Sequence, residues 1–203
     1  MFRLDKNKKA IAIVAHPDDE TIWMGGTILK NQQLKWTIFS LCRADDSDRA
    51  PKFRKVCKYY GAQAIITDLD DEDKLSIEET IPIIKNLILK YITRNNFDYI
   101  FTHGRQGEYG HPRHIGVHLA VKELLDQGKI NPEVIFYFNY RKKHYKEFSP
   151  LIPRKNSNFI VKLSRSEFTQ KKKIMTRIYG FAPDGIDTNY CTNPEAFLTY
   201  HVL

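Results

Sequence analysis

The sequence predicts an α/β fold, with a mostly parallel sheet that carries helices on both faces. Short runs rich in Ile, Val and Phe recur along the chain, and each run is apolar at consecutive positions. Such runs suit strands that are covered on both sides. Stretches with helical spacing separate them, which makes parallel pairing through crossover helices the natural connection. The 203 residues are enough for one sizeable core, so we expect a single domain over 1–203.

Five strands and five helices are expected in alternation. We predict strands at 10–15, 36–42, 64–69, 98–103 and 134–140, and helices at 21–32, 50–60, 77–94, 114–127 and 166–179. Ser76, with Glu79 three residues later, has the spacing of a capping box and predicts the start of the third helix. Beyond 140 the pattern is irregular, with Pro150 and Pro153, and we expect a loop. Alternating residues at 159–163 then predict an extra C-terminal strand in a hairpin.

The apolar runs are too short for a membrane span, which needs about 20 residues. The run from Ala10 to Ala15 is also too short for a secretory signal. The three cysteines, Cys42, Cys57 and Cys191, are odd in number and form no CxxC pair. We therefore interpret them as small buried hydrophobic residues rather than a disulfide framework. A reducing, cytoplasmic location fits these features.

The chain is basic, with a formal net charge of +8. Basic residues concentrate in what we call the late basic stretches, at 141–146, 154–155 and 171–173. Solvated surface is their simplest interpretation. A basic surface also attracts anions, so an anionic substrate is the functional alternative. No compact nucleic-acid-binding motif is present, which disfavours a nucleic acid partner.

Two short motifs carry the candidate chemistry. Ala15-His16-Pro17-Asp18-Asp19-Glu20 follows the first predicted strand, and Glu108-Tyr109-Gly110-His111-Pro112-Arg113-His114 follows the fourth. Ligands of open parallel sheets gather at the carboxyl ends of the strands, so the two motifs are expected to share one edge of the sheet. Because Pro17 fixes its own φ, we expect a sharp turn that directs Asp18 and Asp19 differently.

Imidazoles and a carboxylate at one edge predict a metal site. A catalytic zinc takes three protein ligands and leaves a fourth position for water or substrate, and His16, Asp19 and His114 supply that set. One Zn²⁺ per chain, or another divalent cation, would lower the pKa of water from 15.7 toward about 7. Asp18 would accept the proton of the attacking water, while His111 would protonate the departing nitrogen or stabilise the oxyanion.

Other residues near the motifs are expected to have structural roles. His103 ends the fourth strand and is expected to pack in the core, and His118 is expected to occupy an ordinary helix position. Gly25 and Gly26 are expected to permit close backbone packing. The acidic run at 68–73 is expected to be a solvated loop, with a second cation site as the alternative.

At its two motifs the chain resembles the PIG-L/LmbE-like family of zinc-dependent N-deacetylases, which remove acetyl groups from N-acetylglucosamine-type sugars. The resemblance covers most of the chain and implies a Rossmann-like fold. It implies the same three metal ligands, with Asp18 as general base and His111 in the acid or oxyanion role. It also implies that Tyr109 lies beside the reacting carbonyl. Family members are often oligomers, so a homo-oligomer is implied as well.

The chain departs from the family pattern where substrate is held. The resemblance implies that Arg49, before the second helix, contacts substrate and that Gly61 ends that helix. Lys52, however, stands where an acidic residue is expected. After the second strand the chain reads Cys42-Arg43-Ala44-Asp45 in place of a Thr-x-Gly-Glu-like turn. These departures therefore affect the predicted identity of the acceptor sugar more than the predicted reaction.

The predicted function is removal of the N-acetyl group from an N-acetylglucosamine-type sugar or conjugate, with release of acetate and a free amine. The partner would be a small amino-sugar conjugate, anionic if the late basic stretches contribute to binding. A two-metal phosphoesterase is one alternative, with cations about 3.5–4 Å apart and the acidic run as the extra donor. A non-catalytic carbohydrate-binding homologue is another, although it would not need Asp18, His111 and the metal ligands all intact.

Overall fold

A seven-stranded sheet lies at the centre of the computed structural model, which describes residues 4–72, 74–92, 97–144 and 149–202. The strands are β1 (Lys9–Val14), β2 (Lys35–Cys42), β3 (Gln63–Leu69), β4 (Tyr99–Thr102), β5 (Val134–Phe138), β6 (Tyr140–Lys142), β7 (Leu151–Pro153), β8 (Phe159–Val161) and β9 (Glu195–His201). The helices are α1 (Asp19–Lys30), α2 (Arg49–Tyr60), α3 (Ile77–Ile92), α4 (Gly107–Gly110), α5 (Pro112–Asp126), α6 (Arg165–Ile174) and α7 (Ile186–Tyr190), and a π-helical turn over Met175–Tyr179 extends α6.

The sheet is mostly parallel, as predicted. Its order is β3-β2-β1-β4-β5-β9-β8. The first five strands run parallel, and β9 pairs antiparallel with both of its neighbours, β5 and β8. The chain builds outward from β1 to β3 and then returns to place β4 on the other side of β1. This reversal opens a crevice beyond the carboxyl ends of β1 and β4, where ligands of such sheets bind. Both motifs follow these two strands.

Both faces of the sheet are covered. Alternate residues of β1 belong to different apolar clusters, with Ala12 and Val14 on one face and Ile11 and Ile13 on the other. Helices α1, α2 and α6 pack on the first face, and α3 and α5 pack on the second. This two-sided burial explains why the strands read as nearly continuous apolar runs.

The C-terminal part differs from the prediction in its pairing. The extra strand at 159–163 is present as β8, but the predicted hairpin is wrong because β8 pairs with β9 only after α6, the π-helical turn and α7 have intervened. Part of the predicted loop beyond 140 forms a small antiparallel sheet of β6 and β7. Residues 93–94 of the predicted third helix and 145–146 of the late basic stretches lie outside the described residues.

Several local predictions are confirmed. The Ser76 backbone N–H donates to Glu79 Oε2 at 2.8 Å, and the Glu79 N–H donates to Ser76 Oγ at 3.2 Å, which is the predicted capping box. A Cβ at Gly25 would lie 2.7 Å from the Tyr60 hydroxyl, so α1 and α2 need glycine there. The three cysteines are buried and unpaired. Within the described ranges, every helix is too short or too polar to cross a membrane.

Candidate active site

The turn between β1 and α1 separates two adjacent carboxylates. Asp18 has φ 130° and ψ −30°, a conformation that costs a non-glycine residue about 1–3 kcal/mol. Its carbonyl oxygen accepts the N–H groups of Thr21 and Ile22, both at 2.8 Å, which starts the helix. As predicted, the side chains diverge: Asp18 Oδ2 accepts from Arg49 Nη1 at 2.6 Å, whereas Asp19 points toward the second motif.

Three acceptor atoms converge between the two motifs. His16 Nδ1 lies 3.2 Å from Asp19 Oδ2 and 3.2 Å from His114 Nε2, and His114 Nε2 lies 3.4 Å from Asp19 Oδ2. His114 and Asp19 are almost fully buried, and His16 is partly exposed to the crevice. We call these three side chains the ligand triangle. The structure thus brings together the three residues predicted to bind metal.

Carboxylates behind the ligand triangle orient its two imidazoles. His16 Nε2 donates to Asp71 Oδ1 at 2.7 Å, and His114 Nδ1 donates to Glu108 Oε2 at 2.7 Å. Each bond places a ring proton on the outward nitrogen, so His16 Nδ1 and His114 Nε2 turn their lone pairs inward. Metal-binding histidines are typically held by carboxylates in this way.

His103 forms the floor beneath His114. The two rings stack with centroids 3.9 Å apart. His103 Nε2 accepts the backbone N–H of Ala15 at 3.0 Å, and Nδ1 donates to Glu108 Oε2 at 2.8 Å. Burial opposes the charge of Glu108, but His103 and His114 lower its pKa to about 2. His103 therefore packs in the core as predicted, and it also helps to fix the carboxylate that orients His114.

The geometry of the ligand triangle fits a divalent cation. Zinc binds imidazole nitrogen and carboxylate oxygen at about 2.0–2.2 Å, so tetrahedral neighbours lie about 3.3–3.5 Å apart. The observed separations of 3.2–3.4 Å match that spacing. With both rings neutral, three lone pairs face one another without a hydrogen among them, an arrangement that a cation stabilises. Burial opposes a charge on His16, yet hydrogen bonds to Asp19 and Asp71 raise its pKa to about 9. Without a cation this ring therefore also carries a proton on Nδ1, and a bound cation would replace that proton.

Asp18 lies beside the ligand triangle in a different environment. Burial and the neighbouring Asp19 raise the pKa of the Asp18 carboxyl well above its ordinary value, although Arg49 opposes the shift. The Arg49 guanidinium also lies 4.6 Å from the centre of the Phe181 ring, which holds it over the crevice. Arg49 therefore lies in the crevice, where its observed partner is Asp18.

His111 and Tyr109 complete the rim on the side of the second motif. His111 is the N-cap of α5, and its Nδ1 accepts the N–H of Arg113 at 3.2 Å. Burial lowers the pKa of His111 to about 3, and the neighbouring His114 adds to the shift. The Tyr109 ring packs 5.4 Å from the His114 ring and 5.1 Å from the Tyr190 ring.

The acidic run at 68–73 is not simply a solvated loop, and that prediction needs correction. Asp70 Oδ2 accepts from Nη2 of Arg113, a buried arginine, at 2.7 Å, and Arg113 Nε donates to the Asp70 carbonyl oxygen at 2.6 Å. Asp71 binds His16 and also accepts from Arg43 Nε and Nη2 at 2.9 and 2.6 Å. A buried arginine, Arg113, and a partly exposed one, Arg43, attract these carboxylates, a pairing that sequence reasoning overlooked. Asp73 lies outside the described residues.

The crevice forms a small cavity of about 250 Å³ at the ligand triangle. Its lining combines both motifs with residues of distant segments: His16, Pro17, Asp18, Asp19, Ile22, Trp23, Arg43, Asp46, Arg49, Asp71, Tyr109, His111, Asp187 and Tyr190. Trp23 Nε1 donates to Asp19 Oδ1 at 2.9 Å, so this ring both walls the cavity and orients a ligand-triangle carboxylate.

Sequence reasoning missed four residues that shape the site. No role was predicted for Glu108, although it belongs to the second motif. Trp23 was also missed, although its position one helical turn after Asp19 predicts that the two side chains are neighbours. Asp187 and Tyr190 come from α7, which no motif marked and which was not predicted. His118 lies away from the ligand triangle in a buried helix position, where Nδ1 contacts the carbonyl oxygen of His103 at 3.0 Å.

Comparison with solved structures supports the fold. N,N'-diacetylchitobiose deacetylase from Pyrococcus horikoshii superposes with a TM-score of 0.66 at 18% identity, over 96% of this chain and 84% of that one. The 4-carboxy-2-hydroxymuconate hydratase from Pseudomonas putida KT2440 superposes with a TM-score of 0.65 at 12% identity, over 95% of each chain. The fold is therefore shared by a deacetylase and a hydratase, and it does not by itself fix the reaction.

Sequence comparison identifies the family. N-acetylglucosaminyl-phosphatidylinositol de-N-acetylase of Bos taurus is 24% identical over 132 residues, which are 60% of this chain and 52% of the bovine protein. The chain thus spans about half the length of that relative. The sequence model described as PIG-L, GlcNAc-PI de-N-acetylase, matches residues 11–125, more than half of the chain and both motifs. The chain therefore belongs to the PIG-L, GlcNAc-PI de-N-acetylase, family.

Proposed function

We propose that the protein is a zinc-dependent N-deacetylase that removes the acetyl group from an N-acetylglucosamine-type sugar or conjugate. The convergence of the ligand triangle within 3.2–3.4 Å, beside the buried carboxylate of Asp18, carries this proposal. His16, Asp19 and His114 would hold one cation per chain. When bound, that cation would supply Lewis acidity and lower the pKa of water toward about 7.

Asp18 is proposed as the general base. Arg49 binds Oδ2 at 2.6 Å, and Oδ1 forms no hydrogen bond within the described part of the chain. Oδ1 can therefore accept the proton of the water that attacks the amide carbonyl. Because burial makes this carboxylate more basic than an exposed aspartate, it is suited to take that proton and to return it to the departing nitrogen.

His111 is proposed as the donor to the oxyanion. Its Nδ1 accepts the backbone N–H of Arg113, so the proton of the neutral ring is on Nε2. A neutral imidazole of this tautomer donates one hydrogen bond from Nε2 but is a poor acid, which favours oxyanion stabilisation over protonation of the leaving group. Tyr109 would lie beside the reacting carbonyl and exclude water from it.

The acceptor is proposed to be an amino-sugar conjugate. The bovine relative acts on an N-acetylglucosaminyl phosphatidylinositol, and the Pyrococcus neighbour acts on diacetylchitobiose. Both carry an N-acetylglucosamine group, which we propose as the shared unit. An anionic group elsewhere on the conjugate remains a prediction from the late basic stretches. The cytoplasm remains the proposed location, since all three cysteines are free thiols.

Acetate release tests the proposal directly. Protein saturated with zinc and freed of unbound metal is incubated with N-acetylglucosaminyl phosphatidylinositol and with diacetylchitobiose. Bound zinc, acetate and free amine are quantified. We expect equal amounts of the two products, and no turnover after chelation or in the His114→Ala variant. Two metal ions per chain, or phosphate release without acetate, would instead favour the two-metal phosphoesterase.

A further inference from the structure

We propose that Asp187 binds hydroxyl groups of the acceptor ring next to the amide, and that any anionic group of the conjugate lies outside the cavity. This inference rests on the proposed function and names the substrate group that the site selects. Asp187 lies in α7, outside the residues 11–125 that match the family.

The first argument is an inventory of the acidic side chains that line the cavity. Asp18 is bound by Arg49, Asp19 by Trp23 and the His16 N–H, and Asp71 by His16 and Arg43. A fourth, Asp46, accepts the backbone N–H groups of residues 48 and 49. Asp187 is the exception, because within the described ranges its carboxylate forms no hydrogen bond or ion pair with another residue. It accepts only its own backbone N–H and is attracted by Arg49, which already binds Asp18. It is half-buried, and this partial burial raises its pKa.

A half-buried carboxylate that no other residue binds favours a ligand that donates hydrogen bonds. A carboxylate offers about four lone-pair directions and no hydrogen, so its natural partners are hydroxyl or ammonium groups. Vicinal hydroxyl groups of a sugar meet this need. They also leave the net charge of the cavity unchanged when they bind.

The second argument is the charge of the cavity lining. Five aspartates line it against two arginines and the proposed divalent cation, which leaves a formal excess of negative charge, and both arginines already bind aspartates. Among the described positions of the late basic stretches, none lines the cavity. Arg141 and Lys143 instead lie elsewhere on the surface, and Lys171 is buried against Glu195. A phosphate placed beside the amide would therefore face carboxylates, so any anionic group of the conjugate must lie outside the cavity.

The third argument is the shape of the cavity. Its 250 Å³ lies just below the usual range of ligand pockets, about 300–1,000 Å³, so it accommodates one ring rather than a whole conjugate. Trp23, Tyr109 and Tyr190 form an aromatic wall, in which the Tyr190 ring lies 6.4 Å from Trp23 and 5.1 Å from Tyr109. An apolar wall and a carboxylate in one cavity suit a sugar, whose ring face is apolar and whose edge is polar.

Asp187 also lies in the first turn of α7, where a carboxylate stabilises a helix through its dipole. A purely structural role must therefore be separated from ligand binding. Asp184 offers a matched control, because it is an exposed acid of the same segment and does not line the cavity.

The test compares Asp187→Ala and Asp184→Ala on two amides. One is the methyl glycoside of N-acetylglucosamine, and the other is N-cyclohexylacetamide, which has a ring of similar size without hydroxyl groups. We expect Asp187→Ala to lower kcat/KM for the glycoside by about 10- to 100-fold, the usual effect of losing a hydrogen bond to a charged group, and to leave the cyclohexyl amide unaffected. Asp187→Asn should recover part of the loss, and Asp184→Ala should match the unsubstituted protein.

Two results would overturn the inference while the proposed function stands: an equal loss on both amides, or no difference between the two variants. If the unsubstituted protein releases acetate from only one amide or from neither, an NMR titration of metal-free protein with the glycoside decides the inference instead. Weaker glycoside binding in Asp187→Ala than in Asp184→Ala would support it, and equal binding would overturn it. The proposed function fails only if N-acetylglucosaminyl phosphatidylinositol and diacetylchitobiose also release no acetate.

Discussion

Two clusters of buried charge flank helix α1, and they are built on opposite principles. At its C-terminal half, Glu195 accepts hydrogen bonds from the N–H groups of Gly26 and Thr27, from the Thr27 hydroxyl and from Lys171 Nζ at 2.6–2.8 Å. We call this the closed cluster, because one anion meets one cation and every carboxylate oxygen has donors. Lys171 and Glu195 are both fully buried.

At the N-terminal end of α1, the ligand triangle and Asp18 form an open cluster. Two aspartates lie there with two imidazoles whose inward nitrogens carry lone pairs, and a third carboxylate, Glu108, lies behind. The negative charge exceeds the positive charge supplied by Arg49. The comparison shows that the two clusters have separate tasks. The closed cluster holds α1 against β9, while the excess negative charge of the open cluster is available to bind a cation and a substrate.

The largest effect expected from the open cluster is on the rate. Asp18→Asn keeps the size of the side chain and a residue type that tolerates positive φ, but it removes the base. We expect kcat to fall by about 10²–10⁴-fold. The zinc content should stay at one ion per chain, and Tm should not fall, because a buried charge next to Asp19 is lost. A variant with the unsubstituted rate would contradict the role of Asp18.

The closed cluster should respond in the opposite way. Lys171→Met leaves the Glu195 carboxylate buried without its cation, and breaking a buried pair on one side costs about 3–5 kcal/mol. Urea denaturation should show this loss in the free energy of unfolding, whereas the folded fraction should retain its kcat. Lys173→Met, at an exposed position of the same helix, is the matched control and should change little. A lower kcat with unchanged stability would mean that the two clusters are not separate in function.

Most of the open cluster could be predicted from sequence, because its residues are local to two motifs. The ligand triangle follows two strands that lie side by side in the parallel sheet. Its convergence could therefore be predicted from the order of the strands alone. The positive φ of Asp18 was not predicted, but the divergence of the two aspartates was. The hydrogen bonds of Glu108 and Asp71 to histidines were not predicted, because such a bond depends on side-chain direction rather than on spacing along the sequence.

The C-terminal third was harder to predict for a physical reason. The antiparallel pair of β8 and β9 joins segments more than thirty residues apart, so no turn signal marks it. The closed cluster brings Glu195 to Gly26 across 169 positions, and neither residue belongs to a recognisable motif. Likewise α7, which contributes Asp187 to the cavity, has only five residues. Long-range burial, not local propensity, fixes these elements.

Cation binding gives the next largest effect, and it sharpens the contrast. A ligand that binds only the folded state stabilises it by about 2.7 kcal/mol at 100 times its Kd. Zinc at that level should raise Tm in both the unsubstituted protein and Lys171→Met. The gain in the free energy of unfolding should be similar in the two proteins. The His114→Ala variant should show no such rise. Stabilisation of His114→Ala by zinc to the same extent would place the cation elsewhere in the molecule.

The smallest effect expected concerns the carboxylate behind the open cluster. Glu108→Gln can still accept the His114 proton, but it no longer holds that ring with a charge, so zinc affinity should fall by about 10–100-fold. A competition titration with a chelator of known affinity measures the change, and Glu78→Gln, an exposed acid at the start of α3, is the matched control. Equal zinc affinities in both variants would show that the open cluster ends at the ligand triangle. A selective loss would show that Glu108 belongs to it, because the charge that orients His114 would then contribute to holding the cation.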